Sequence, residues 1–142
     1  MEKVGLFIAS YQIGGDKPGA PLFNVNLSIY TPGKTVSGIG HISQATNPPL
    51  DVVTHLKGTY TYMCVMPKNC HIQVRLTGSS VVKLSPVSGV EPVALHNVEL
   101  LMVLTEDWKT GGANYSYLDK AGNLHEVEGA PVKEISPKSI SE

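Results

Sequence analysis

Residues 22–30, LFNVNLSIY, alternate apolar and polar side chains without interruption. Phe23, Val25, Leu27 and Ile29 fall on one side, and Asn24, Asn26, Ser28 and Tyr30 on the other. A repeat of two places successive side chains on opposite faces of an extended chain, which a helix cannot do. The segment is therefore a strand with one dry face and one wet face. Its partner follows at once. Thr31-Pro32-Gly33-Lys34 reads as a tight turn, with Pro and Gly suited to the type II positions. The returning strand then sets Ile29 against Val36, Leu27 against Gly38, Val25 against Gly40 and Phe23 against Ile42.

The rest of the chain repeats this style. Fourteen glycines and ten prolines punctuate short β-branched and aromatic runs. Strands are expected over 4–13, 52–65, 69–77, 93–108, 115–118 and 124–127. Gly58 is a candidate break in the long run, and residues 81–84 could add a short edge strand. The stretch 44–51 holds Pro48-Pro49, which cannot donate to a ladder, and reads as a loop. Asp119–Asn123 reads as a hairpin turn with Gly122 left-handed. The expectation is one all-β domain over residues 1–132, a single antiparallel sandwich or barrel of about eight strands with little or no helix. Residues 133–142, rich in Ser and Lys, are expected to form a loose tail.

Charge narrows the partners. Only 16% of the 142 residues are charged, and Arg75 is the single arginine. Phosphate backbones are bound by many clustered cations, so nucleic acid is not expected as a partner. No apolar run approaches a membrane span. The apolar run 4–9 is too short for the core of a secretion signal, so a cytoplasmic location is expected, export by a leaderless route aside.

Local motifs of chemistry are missing. Gly33-Lys34-Thr35 imitates the end of a phosphate loop, but position 28 is Ser where a Gly is needed, and the segment joins two strands. The five histidines are scattered, without metal-ligand spacing. No catalytic residue, cofactor or metal site is assigned. A hydrolase could still assemble a dispersed site from His41, His55, His71, His96, Asp107 and Trp108.

Two features carry a sharper expectation. Gly38 and Gly40 both sit on the apolar face of one strand, where glycine marks a bend, a close approach, or room for a ligand. A carrier with a cavity beside them would be lined by Val25, Leu27, Tyr60 and Tyr62. The second feature is MCVMPKNCHI, residues 63–72. Setting Cys64 against Cys70 places Tyr62 opposite Ile72 and Tyr60 opposite Val74, all on an apolar side. Met63, Thr61 and Thr59 then meet His71, Gln73 and Arg75 on the other. A slip of one residue would mix the faces. His71 therefore points away from the cysteines, and a shared metal site does not form. The pair is expected as buried reduced thiols, or as a cross-strand disulfide where the compartment is oxidising.

The stretches GLFIASYQIGGDKPGAP (5–21), TVSGIGHISQATNPPLD (35–51), KGTYTYMCVMP (57–67) and NVELLMVLTEDWKTGGANYSYLD (97–119) resemble a family of small bacterial proteins classed only as a domain of unknown function. That resemblance implies a bacterial source and a stand-alone domain, and it carries no activity or site residues. The reading that results is a non-enzymatic binding or protein-interaction module, acting on a protein partner or by self-association. The small-ligand carrier and the dispersed hydrolase are the alternatives.

Overall fold

Every regular element among the described residues is a strand: β1 (Leu6–Gly14), β2 (Leu22–Tyr30), β3 (Thr35–Gln44), β4 (Leu50–Met66), β5 (Asn69–Val82), β6 (Val93–Thr105), β7 (Thr110–Leu118) and β8 (Leu124–Ile135). The computed structural model describes residues 5–15, 19–45, 50–66, 69–82, 93–119 and 121–135. Each strand pairs antiparallel with the next, and β8 returns to β1, closing a barrel. Closure removes the open edges that a sheet of eight strands would otherwise expose.

The alternation reads out as expected in the ladders. Phe23 faces Ile42, Val25 faces Gly40, Leu27 faces Gly38 and Ile29 faces Val36. Across β4 and β5, Tyr60 faces Val74, Tyr62 faces Ile72 and Cys64 faces Cys70. The turn chemistry differs in one place. Lys34, not Gly33, holds the left-handed conformation (φ 52°), and the Lys34 amide donates to the Thr31 carbonyl at 3.2 Å. That is a wider loop whose last residue turns left-handed, which matches hairpin twist better than a type II turn.

Several boundaries move: β6 ends at Thr105 instead of Trp108, and β7 begins at Thr110 instead of Tyr115. β4 runs unbroken through Gly58. Val81 and Val82 belong to β5, facing Ala94 and Val93, instead of forming a separate edge strand; residues 83 and 84 lie outside the described residues. β8 runs on to Ile135, and Lys133, Glu134 and Ile135 face Gln12, Tyr11 and Ser10. Ala130 and Val132 are buried, so this segment supplies part of the core and the seam that shuts the barrel.

The inward side chains fill the interior: Tyr11, Ile13, Phe23, Val25, Leu27, Ile29, Ile42, Leu56, Ile72, Met102 and Leu104 are all buried. At the end where the β6–β7 turn lies, Trp108 folds in as a plug, 1% exposed. Its ring meets Phe7 at 5.2 Å and Tyr60 at 5.0 Å, both edge-on. Trp108 takes a left-handed backbone (φ 65°), a costly choice for a bulky residue. The Tyr11 hydroxyl donates to the Trp108 carbonyl at 2.7 Å and holds it there. Nearer the other end, a bulge in the β5–β6 ladder falls at Asn97. Asn97 Oδ1 accepts the hydroxyl of buried Thr54 at 2.7 Å, and its amide donates to the Val53 carbonyl. The bulge thus satisfies a buried polar group inside the barrel.

Candidate functional site

The residues expected to line a cavity fall into two groups, Val25, Leu27, Gly38 and Gly40 in one and Tyr60 and Tyr62 in the other. Thr54, which faces Gly40, and Tyr60 are six positions apart on β4, roughly 20 Å at the rise of a strand. Tyr60 and Tyr62 stack edge-on at 6.0 Å beside the Trp108 plug, whereas Val25, Leu27, Gly38 and Gly40 lie further down the barrel. The space beside Gly40 is occupied. A Cβ there would stand 2.5 Å from Phe23 Cε1 and 3.1 Å from Leu56 Cδ1. At Gly38 it would strike the Asn26 carbonyl oxygen on β2. Both glycines serve close approach.

The residues of the dispersed hydrolase reading share no bond. Among the described residues none of the six is joined to another by a hydrogen bond or ion pair. His41 bonds Asp51, His96 approaches Glu99 at 3.7 Å, and Trp108 is buried in the core. Asp107 staples its own turn, accepting from the Thr105 hydroxyl and from the Lys109 amide at 3.1 Å. Those bonds hold its carboxyl below the usual range. Asp119 does the same for the β7–β8 turn: its carboxylate bonds His125 at 2.8 Å and accepts the Ala121 and Asn123 amides at 2.9 Å. Its pKa is lowered first by the His125 bond. No group of three metal-ligating side chains occurs among the described residues, and no described helix could cross a membrane.

The two cysteines form a disulfide, with Cα atoms 4.1 Å apart. Their shared face is as expected, but their burial is not. Cys64 is exposed and Cys70 half-buried. The β4–β5 hairpin overshoots its neighbours: β3 last pairs with β4 at Thr59, and β6 last pairs with β5 at His71. The tip therefore extends beyond the strands that pair beside it.

The open concavity lies on the outer face, where no single segment of sequence points to it. A trough of about 490 Å³ crosses five strands, β4 to β8. A second hollow of about 450 Å³ shares Lys57, Gly58 and Thr77 with it and extends it to β3. The ladders explain the lining. Lys57 faces Thr77, Thr77 faces Glu99, Glu99 faces Ser116 and Ser116 faces Glu126. Beside this row, Arg75 faces Leu101 and Leu101 faces Asn114. There the β7–β8 register shifts: Glu128 and Gly129 together oppose Asn114, whose Oδ1 accepts the Gly129 amide at 2.8 Å. Gly58 sits in the floor. A Cβ there would lie 1.8 Å from the Arg75 carbonyl oxygen, so only glycine lets β4 bend this closely over β5.

Charge is sorted along the trough. Lys57 and Arg75 stand over β4 and β5, and Glu99, Glu126 and Glu128 over β6 and β8. Every ion pair among the described residues has a histidine as its cationic member. The lysine and arginine of the trough thus face solvent without an acidic partner, and Glu126 and Glu128 without a cationic one. Cross-strand neighbours of opposite sign are kept apart by Thr77, Leu101, Asn114 and Ser116.

Comparison with curated proteins finds no match. A family model does match, over residues 4–123, most of the chain; it is described as Domain of unknown function (DUF1842), and the chain belongs to that family.

Proposed function

We propose that the protein is a non-enzymatic interaction module that takes an extended, charged segment of a protein partner into the outer trough. The observation that carries this reading is the separation of charge: cations without acidic partners over β4 and β5, carboxylates over β6 and β8, of which Glu99 alone has a histidine partner, with uncharged side chains between. Four inter-strand steps span roughly 19 Å, the reach of about six extended residues. The complementary segment is acidic at one end and basic at the other. Three carboxylates in the same trough disfavour nucleic acid, whose phosphates they would repel. Self-association fits less well, since a concave surface on one copy cannot fill the same concave surface on another. The packed space beside Gly40 weighs against the carrier, and the scattered histidines weigh against the hydrolase. A cytoplasmic location belongs to this reading.

The test uses labelled synthetic hexapeptides, with acidic residues in one half and basic residues in the other, followed by fluorescence anisotropy at low salt. The wild type binds the dipolar peptide and ignores an uncharged peptide of equal length. The Lys57→Glu/Arg75→Glu variant binds at least about tenfold more weakly, because like charges now meet across the contact. Equal binding by wild type and variant would contradict the proposal.

A further inference from the structure

The trough makes no use of the Cys64–Cys70 disulfide, which lies at the tip of the overshooting hairpin. Three observations bear on its chemistry. Cys64 is exposed while Cys70 is half-buried. The ladder shifts register immediately beyond the pair, between Cys64 and Met66. Neither β3 nor β6 pairs with the hairpin at this level, because their last partners are Thr59 and His71. The first buried core residues below the bond are Tyr60 and Ile72. The bond thus lies above the buried core, and Cys64 is the more exposed of its two residues, the one an attacking group from solvent meets first.

We infer that Cys64 is a thiol–disulfide exchange site for small thiols and dithiols, and that it opens and closes while the barrel stays folded. An incoming thiolate attacks Cys64 Sγ, forms a mixed disulfide there, and expels Cys70 as a thiolate that takes up a proton. A second thiolate then attacks the external sulfur of the mixed disulfide and releases Cys64 as a thiolate, which is protonated in turn. Two electrons pass to the protein, and the reductant leaves as its own disulfide. Exposure sets the direction of attack, since access decides which sulfur is reached. In a compartment rich in thiols the pair is thus a reversible mark of redox state. In an oxidising one it stays closed.

The chain offers a direct readout. Cleavage after Lys57, Lys68 and Arg75 places Cys64 and Cys70 in separate tryptic peptides, 58–68 and 69–75. Native protein, first closed in oxidised glutathione, is treated with reduced glutathione without denaturant, quenched by alkylation and mapped by mass spectrometry. The expected result is glutathione on peptide 58–68 in at least about tenfold excess over peptide 69–75. Full reduction with a dithiol then yields two alkylated cysteines, while the emission of Trp108, the single tryptophan, stays unchanged. The inference is overturned if thiols appear only in denaturant, if the adduct falls on Cys70, or if reduction shifts the Trp108 emission. The outcome is independent of peptide binding at the trough.

Discussion

The interior of the barrel and the trough on its outer face are built from the same strands, one residue out of step. Leu76, Leu100 and Tyr115 point in and are buried, while their neighbours Arg75, Thr77, Glu99 and Asn114 point out into the trough. The interior is closed by apolar packing and tolerates little change. The trough is open, carries its charges on a largely apolar lining, and is free of ion pairs between those charges among the described residues. Stability and recognition are therefore carried by alternate residues of one ladder, and substitutions should separate the two cleanly.

The largest effect should come from the plug. Trp108→Ala removes the ring that contacts Phe7 and Tyr60 at the barrel mouth. Unfolding in urea should show a loss of about 3–5 kcal/mol, the usual range for deleting a large buried aromatic. A loss under about 1 kcal/mol would mean that the plug is dispensable and the comparison misplaced.

The next effect tests the wall shared by both regions. Gly58→Ala drives a methyl group into the Arg75 carbonyl, a backbone atom that cannot rotate away. Stability should fall by about 1–3 kcal/mol, and peptide binding should weaken with it because the trough floor flattens. Gly40→Ala meets the Phe23 and Leu56 side chains instead. It should cost stability in the same range and leave peptide binding intact. If both variants affected binding equally, the floor would not be local to Gly58.

Smaller again is the response to alkali. Burial, with Glu134 adding to it, pushes the Tyr11 hydroxyl well above the ordinary phenol range, and burial does the same for Tyr115. Both groups are raised in the folded state. Their contribution is therefore fully present below about pH 10, where an unfolded tyrosine starts to ionise, and is lost as pH rises toward the folded values. Urea midpoints should fall steadily above about pH 10, and Tyr11→Phe should flatten that fall. A midpoint unchanged up to about pH 11.5 would contradict the burial of these hydroxyls.

Much of the interior was legible in the sequence, because a period of two fixes parity wherever one face is dry. Phe23–Ile29 and Tyr60–Cys64 named both their faces and their partners. What escaped depended on contacts far apart in sequence. The seam between β1 and β8 joins Ser10 to Ile135, and a stretch containing Gly129 and Pro131 gives little local sign of being a strand. Trp108 reads in sequence as the end of a strand or as a catalytic candidate, since nothing near it announces that Tyr11 will hold its carbonyl. The cysteine pair was correctly matched but misjudged in depth, because parity says which face a residue shares and not where the strands beside it end. The trough was illegible for the same reason. Lys57 and Glu126 are brought into one trough only through four successive registers, one of them shifted by the bulge at Asn114.

Peptide titration followed residue by residue in an amide NMR spectrum tests the central claim most directly. With the dipolar hexapeptide at low salt, the amides of Lys57, Thr77, Leu101, Asn114, Ser116 and Glu126 should shift together. Those of Val25, Leu27 and Ile42 should stay in place, and the shifts should fade as salt is raised. Shifts confined to other surfaces, or no shifts at all, would contradict the assignment of the trough as the binding site.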